Sequence, residues 1–98
     1  MRFKVYLIER ESQNYYWSTE GEETRTILAF ALTKRAAKRL LLDLANDIGH
    51  DWKSHEAEVG RITENNSTES FSWEIQNRET GRWYFDTIYV KKIEVGLF

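Results

Sequence analysis

Residues 3–10, Phe-Lys-Val-Tyr-Leu-Ile-Glu-Arg, alternate so that Phe3, Val5 and Leu7 fall on one side and Lys4, Tyr6, Ile8 and Arg10 on the other. A period of two is what a half-buried strand requires, and the segment predicts a strand whose apolar face is the Phe3, Val5, Leu7 side. Glu11-Ser12-Gln13-Asn14 reads as a turn, and Tyr15-Tyr16-Trp17 reads equally as a hairpin arm or an aromatic loop. After the polar link Glu20-Gly21-Glu22-Glu23, residues 24–32 alternate again, with Thr26, Leu28, Phe30 and Leu32 against Arg25, Ile27, Ala29 and Ala31. Apolar residues on both sides near its end predict a second strand covered on both faces there.

The period then changes. Thr33 is a helix N-cap by its hydroxyl, and Ala37, Leu40, Leu41, Leu44 and Ile48 follow at i, i+3, i+4, i+7 and i+11, one face at 3.6 residues per turn. Gly49, suited to the left-handed C′ conformation, is the expected stop. Beyond a short polar link with His50, Asp51 and Trp52, residues 55–63 read as a weak strand and 64–68 as a turn. Phe71, Trp73 and Ile75 then alternate with Ser72, Glu74 and Gln76; Asn77 to Gly81 reads as a hairpin loop; and 82–95 forms a long aromatic return strand. The order strand, strand, helix, strand, strand, strand predicts an α+β fold: a mostly antiparallel sheet of four to five strands packed on one main helix.

Composition narrows this picture more than it extends it. A chain of 98 residues and 11.7 kDa suits one domain over 1–98, with 41% hydrophobic residues, 5 Phe, 5 Tyr and 4 Trp to fill its core. The balance of 14 Lys+Arg against 16 Asp+Glu excludes the disordered regime and argues against a general polyanion binder. Zero Cys removes disulfides, thiolate metal sites and a Cys nucleophile, and fits a reducing compartment. No apolar run approaches a bilayer span, and Met1 leads directly into alternation. A cytoplasmic protein without membrane contact is expected.

Charge is unusual in one place. Lys34, Arg35, Lys38 and Arg39 occupy the first turns of the helix and Asp43 and Asp47 its later ones, which opposes the macrodipole at both ends. Lys34/Lys38, Arg35/Arg39 and Asp43/Asp47 are also like charges at i, i+4, each costing a few tenths of a kcal/mol. The four cations therefore point to an anionic partner, either nucleic-acid phosphate or an acidic protein surface. The plain alternative is pairing within the chain to Glu9, Glu11, Glu20, Glu22 or Glu23. Glu20, Glu22 and Glu23 also form an acidic cluster able to imitate phosphates, or simply a solvated loop.

Among the aromatics, Phe3, Trp73 and Phe85 are expected in the core, whereas Trp17, Trp52 and Tyr84 are expected at the surface as partner anchors. Arg82-Trp83-Tyr84-Phe85 is the best stacking platform for a base, although no RNP1-like pattern accompanies it. His50, Asp51, His55 and Glu56 cluster, but with the two His at i, i+5 and no third ligand; no metal site and no cofactor are expected. Neither a Walker A sequence, a dinucleotide fingerprint nor a nucleophile elbow occurs, and no catalytic residue is assigned.

Phe3-Lys4-Val5-Tyr6-Leu7-Ile8-Glu9, then Ile27-Leu28-Ala29-Phe30-Ala31-Leu32 running into Thr33 and Ala36-Ala37-Lys38-Arg39-Leu40, resemble small phage and bacterial accessory domains. In size, lack of Cys and mild acidity the chain is similar to anti-CRISPR proteins and other phage inhibitors of host defence. That likeness carries over no functional residue. It implies a non-catalytic protein-binding inhibitor or adaptor that blocks a nucleic-acid-handling complex such as a CRISPR effector. A nucleic-acid-binding module using the basic half of the helix is the alternative. The apolar tail Val95-Gly96-Leu97-Phe98 leaves a homodimer open.

Overall fold

The structure, a computed structural model, describes residues 2–14, 22–67 and 69–96. In chain order the elements are β1 (Arg2–Asn14), β2 (Glu22–Ala31), α1 (Lys34–Ser54), α2 (Glu56–Val59), β3 (Arg61–Asn66), β4 (Ser70–Gln76) and β5 (Trp83–Gly96). The strands make one antiparallel sheet in the order β2-β1-β5-β4-β3, with α1 on one face, which is the expected α+β arrangement. At about 3.4 Å per residue the paired β1 and β5 run roughly 45 Å, and the molecule is a slab of 54 × 27 × 17 Å. β2 ends opposite Tyr6 and β4 begins opposite Tyr89, so residues 2–5 and 93–96 project beyond them as a two-stranded ribbon.

The face of β1 that meets the helix is the reverse of the expected one. Ile8 is wholly buried with Leu41, Ala45, Trp73, Ile75 and Ile88, while Phe3 stays 36% exposed on the uncovered face with Val5 and Leu7. Phe85 also falls on that open face, half-buried and stacked on Trp83 at 6.0 Å between ring centroids. Ala29 and Ala31 of β2 lie beside Ile8 and Tyr6 on that helix-facing side. β2 is likewise not covered on both faces. A bulge lets Ile8 pair with Ala29 and Glu9 with Ile27, skipping Leu28, and Ile27, Phe30 and Leu32 remain exposed.

Thr33 caps α1 as expected, its hydroxyl accepting from the Ala36 amide at 3.1 Å. The helix does not stop at Gly49 but continues to Ser54. Gly49 is buried against the Trp73 indole, where an added Cβ would lie 3.3 Å from Nε1, so its role is close packing and not termination. His50, Asp51 and Trp52 are accordingly helical, and 55–63 is not a strand: α2 occupies Glu56–Val59 and β3 begins at Arg61. Between them Gly60 takes φ +128° with its Cα facing the Gln76 carbonyl, a position no side chain could share. β3 runs on through Glu64, Asn65 and Asn66, and the reversal is made at Ser67, whose amide donates to the Ser70 carbonyl at 2.8 Å.

Candidate anion-binding site

α1 carries Lys34, Arg35, Lys38 and Arg39 on its first turns with no acidic residue there to offset the exposed amides. The register of the sheet then adds cations that are remote in sequence. Tyr6 pairs with both Ala31 and Lys92, and Lys4 with Glu94, which brings the start of β1 and the end of β5 beneath the helix N-terminus. Tyr6, Lys34, Lys38 and Lys92 line a cavity of about 210 Å³ together with Val90 and Glu69. A more open depression of about 680 Å³ shares Tyr6 and Lys34 and adds Arg2, Phe3, Lys4 and Leu32. On the outer side of the helix, Arg35, Lys38 and Arg39 border a third.

Segments 2–6, 34–39 and 91–94 thus hold eight of the chain's 14 Lys+Arg, with Glu94 and the adjoining Glu69 as the acids at that end. This end is strongly positive on a protein whose net charge is −2. Lys34 reaches Glu69 at 3.6 Å, an exposed pair worth about 0–1 kcal/mol. Among the described residues, Arg35, Lys38, Arg39 and Lys92 have no carboxylate within ion-pair distance.

Acids named as internal partners for the helix are engaged elsewhere. The Tyr89 hydroxyl donates to Glu9 at 2.6 Å and to Glu11 at 3.2 Å, and these bonds hold the phenol well above its ordinary value of 10.0. Arg25 Nε donates to Glu11 at 2.7 Å, and its guanidinium lies 3.9 Å from Glu23. Trp17 and Glu20 lie outside the described residues, as does the Glu22 side chain.

Trp52 and Tyr84 are not the exposed anchors expected of them. Both are half-buried, with ring centroids 5.3 Å apart. The Trp52 indole donates to Asp86 Oδ2 at 2.9 Å, so helix extension past Gly49 turns this ring inward onto the sheet. Asp86, fully buried, also accepts from Arg10 Nε at 2.9 Å, Arg10 Nη2 at 2.6 Å and Ser12 Oγ at 3.2 Å. The bidentate bond raises the Arg10 guanidinium above its usual value, mainly through the hydrogen bond to Asp86. Four donors occupy this carboxylate, which makes it a lock between α1, β1 and β5 with no free lone pair turned to solvent.

The two His do not converge with other ligands: among the described residues no group of three or more His, Asp, Glu or Cys is placed to hold a metal ion. Nor is any helix among them long and apolar enough to cross a membrane. Comparison with family models, with curated proteins and with solved structures returns no match.

The sequence pointed to half of this site. It named the four helix cations but missed Tyr6, Lys92, Arg2 and Lys4. Their signal was available as Lys91-Lys92 near one chain end and Arg2 and Lys4 near the other, but joining them requires the β1/β5 register.

Proposed function

We propose that the protein is a non-catalytic binding module whose basic end grips the phosphate backbone of a nucleic acid. The observation that carries this reading is the convergence of Lys34, Lys38 and Lys92 on one cavity with few carboxylates nearby. Cations held close with Glu69 as the carboxylate lining the same cavity still repel one another, and a polyanion relieves that repulsion while releasing its own counterions. Free amides at the N-terminus of α1 act in the same direction. The test is a binding titration with a labelled mixed-sequence oligonucleotide over a salt series. Affinity should fall by about 0.7 to 0.9 log units per log unit of salt for each phosphate contacted, and Lys34→Glu with Lys38→Glu should abolish it. A flat salt dependence removes the proposal.

A second reading, a protein-binding inhibitor or adaptor acting on a nucleic-acid-handling complex, is favoured by a different observation. Among the described residues no element covers the sheet face opposite α1, and Ile27 and Phe30 stand 61% and 66% exposed on it. Phosphate binding gives those side chains nothing to do. A nuclease-resistant protein partner from a bacterial lysate, lost on Ile27→Asp with Phe30→Asp, would favour this reading, whereas unchanged capture would reject that face.

A further inference from the structure

We propose that the nucleic acid taken by the basic end is single-stranded, with unpaired bases lying on Phe3, Tyr6 and Leu32 while the surrounding cations hold phosphates. The inference rests on the phosphate-binding reading above and adds the form of the ligand. What points to it is the free edge of β1 past the end of β2, where Phe3 from the open face and Arg2, Lys4 and Tyr6 from the helix face border one depression with Leu32 and Lys34. A strand rounding this edge meets rings and cations together. Tyr6 and Lys34 belong to both cavities, and the larger one sets Phe3 and Leu32 beside Arg2 and Lys4.

The stacked bases of a duplex turn their faces inward and present phosphates and groove edges, so a duplex would satisfy the cations and leave the apolar surface wet. A single strand presents phosphates and base faces together, and base stacking on a side-chain ring adds to the electrostatic term without reading sequence. Phe3 at 36% and Leu32 at 66% exposure are accessible to such a face, and neither packs in the core formed by Ile8, Leu41 and Ile88. The projecting ribbon also fits this ligand. Its two strands carry Arg2 and Lys4 past the end of the sheet, where a flexible chain can bend around them and a rigid duplex would meet them at an edge.

The experiment compares a labelled oligodeoxythymidine strand with a mixed-sequence duplex of equal length by fluorescence anisotropy, for the intact protein and for Phe3→Ala, at two salt concentrations. The strand should bind at least about tenfold tighter than the duplex, and Phe3→Ala should weaken the strand roughly tenfold while leaving its salt dependence unchanged. Duplex binding equal to or tighter than strand binding overturns the inference but leaves the phosphate reading standing. Failure of both ligands to bind at low salt overturns the two together. The comparison of the two ligands on the intact protein needs no variant, so the outcome does not depend on the folding of Phe3→Ala.

Discussion

The two ends of this slab handle charge in opposite ways. Around Asp86 a buried carboxylate is met by Arg10, Ser12 and Trp52, so that every strong acceptor direction is used inside the protein. Around Tyr6, cations from α1, β1 and β5 are brought together and left with Lys34–Glu69 as their ion pair within 4 Å among the described residues. Asp86 pairs with Ser12, and Tyr6 lies six residues from Ser12, roughly 20 Å away along the strand. That exceeds the Debye length of about 8–10 Å at ordinary ionic strength, so the two ends are electrostatically almost independent. The difference separates stability from binding. One end holds the helix to the sheet; the other keeps charge available to a partner.

The sharpest way to break this division is at the lock. Asp86→Ala removes one member of a buried pair and strands the Arg10 guanidinium and the Trp52 indole, and equilibrium denaturation should show a loss of about 3–5 kcal/mol. If the ends are independent, whatever fraction stays folded should bind oligonucleotide with unchanged affinity; a parallel loss of affinity would join the two ends. Gly60→Ala tests the same end through the backbone. Its φ of +128° and its approach to the Gln76 carbonyl leave no room for a Cβ. A loss of about 1–3 kcal/mol is expected on the scale of residues forced into disfavoured backbone regions, read as a lower denaturation midpoint with an unchanged slope.

Much of the fold is legible in the residues because it follows from period and capping alone. The strands around Val5, Trp73 and Thr87, the Thr33 cap and the Leu40 to Ile48 stripe all declare themselves in this way. Which face of β1 turns inward is not legible, since Phe3, Val5 and Leu7 form the more apolar set. The inner set of Tyr6, Ile8 and Arg10 becomes acceptable only because Asp86, from 76 residues away, neutralises Arg10. Gly49 misleads for a related reason: glycine both ends helices and admits close packing, and here the indole of Trp73 decides between the two. The candidate site divides similarly, with α1 giving its cations locally and Tyr6 and Lys92 joining them through a pairing between chain ends.

A smaller effect sharpens the other side of the comparison. If the basic end retains repulsion that a partner would relieve, removing cations should not harm the free protein. Lys34→Ala with Lys38→Ala deletes a like-charge i, i+4 pair and introduces the best helix former, so thermal unfolding should stay level or improve by a few tenths of a kcal/mol, even though the Glu69 contact is lost. The same variant should lower the salt dependence of oligonucleotide binding. Destabilisation beyond about 1 kcal/mol would mean that these lysines serve the fold, and the division between ends would fail there.

The least effect is expected from His55, where α1 closes at the locked end. Its Nδ1 lies 2.8 Å from the Asp51 carbonyl and 3.0 Å from Ser54 Oγ, with the Asp51 carboxylate at 3.8 Å. The bond to the Asp51 backbone, then the charges of Asp51 and Glu58, raise this imidazole above its ordinary 6.5. A histidine whose folded value is raised favours folding in its protonated state. Its contribution is therefore complete below the unfolded value and is lost as pH rises through the folded one. Being exposed, the ring should influence the last turn of α1 and not global unfolding. Amide exchange at Lys53, Ser54 and His55 should quicken, relative to the intrinsic rate, as the pH is raised through that interval. His55→Gln should remove the pH dependence. If the intact protein shows none, or if His55→Gln keeps it, the His55 ring does not fasten the last turn, which is then held by contacts independent of it, among them Ser54 Oγ on the Asp51 carbonyl and Trp52 on Asp86.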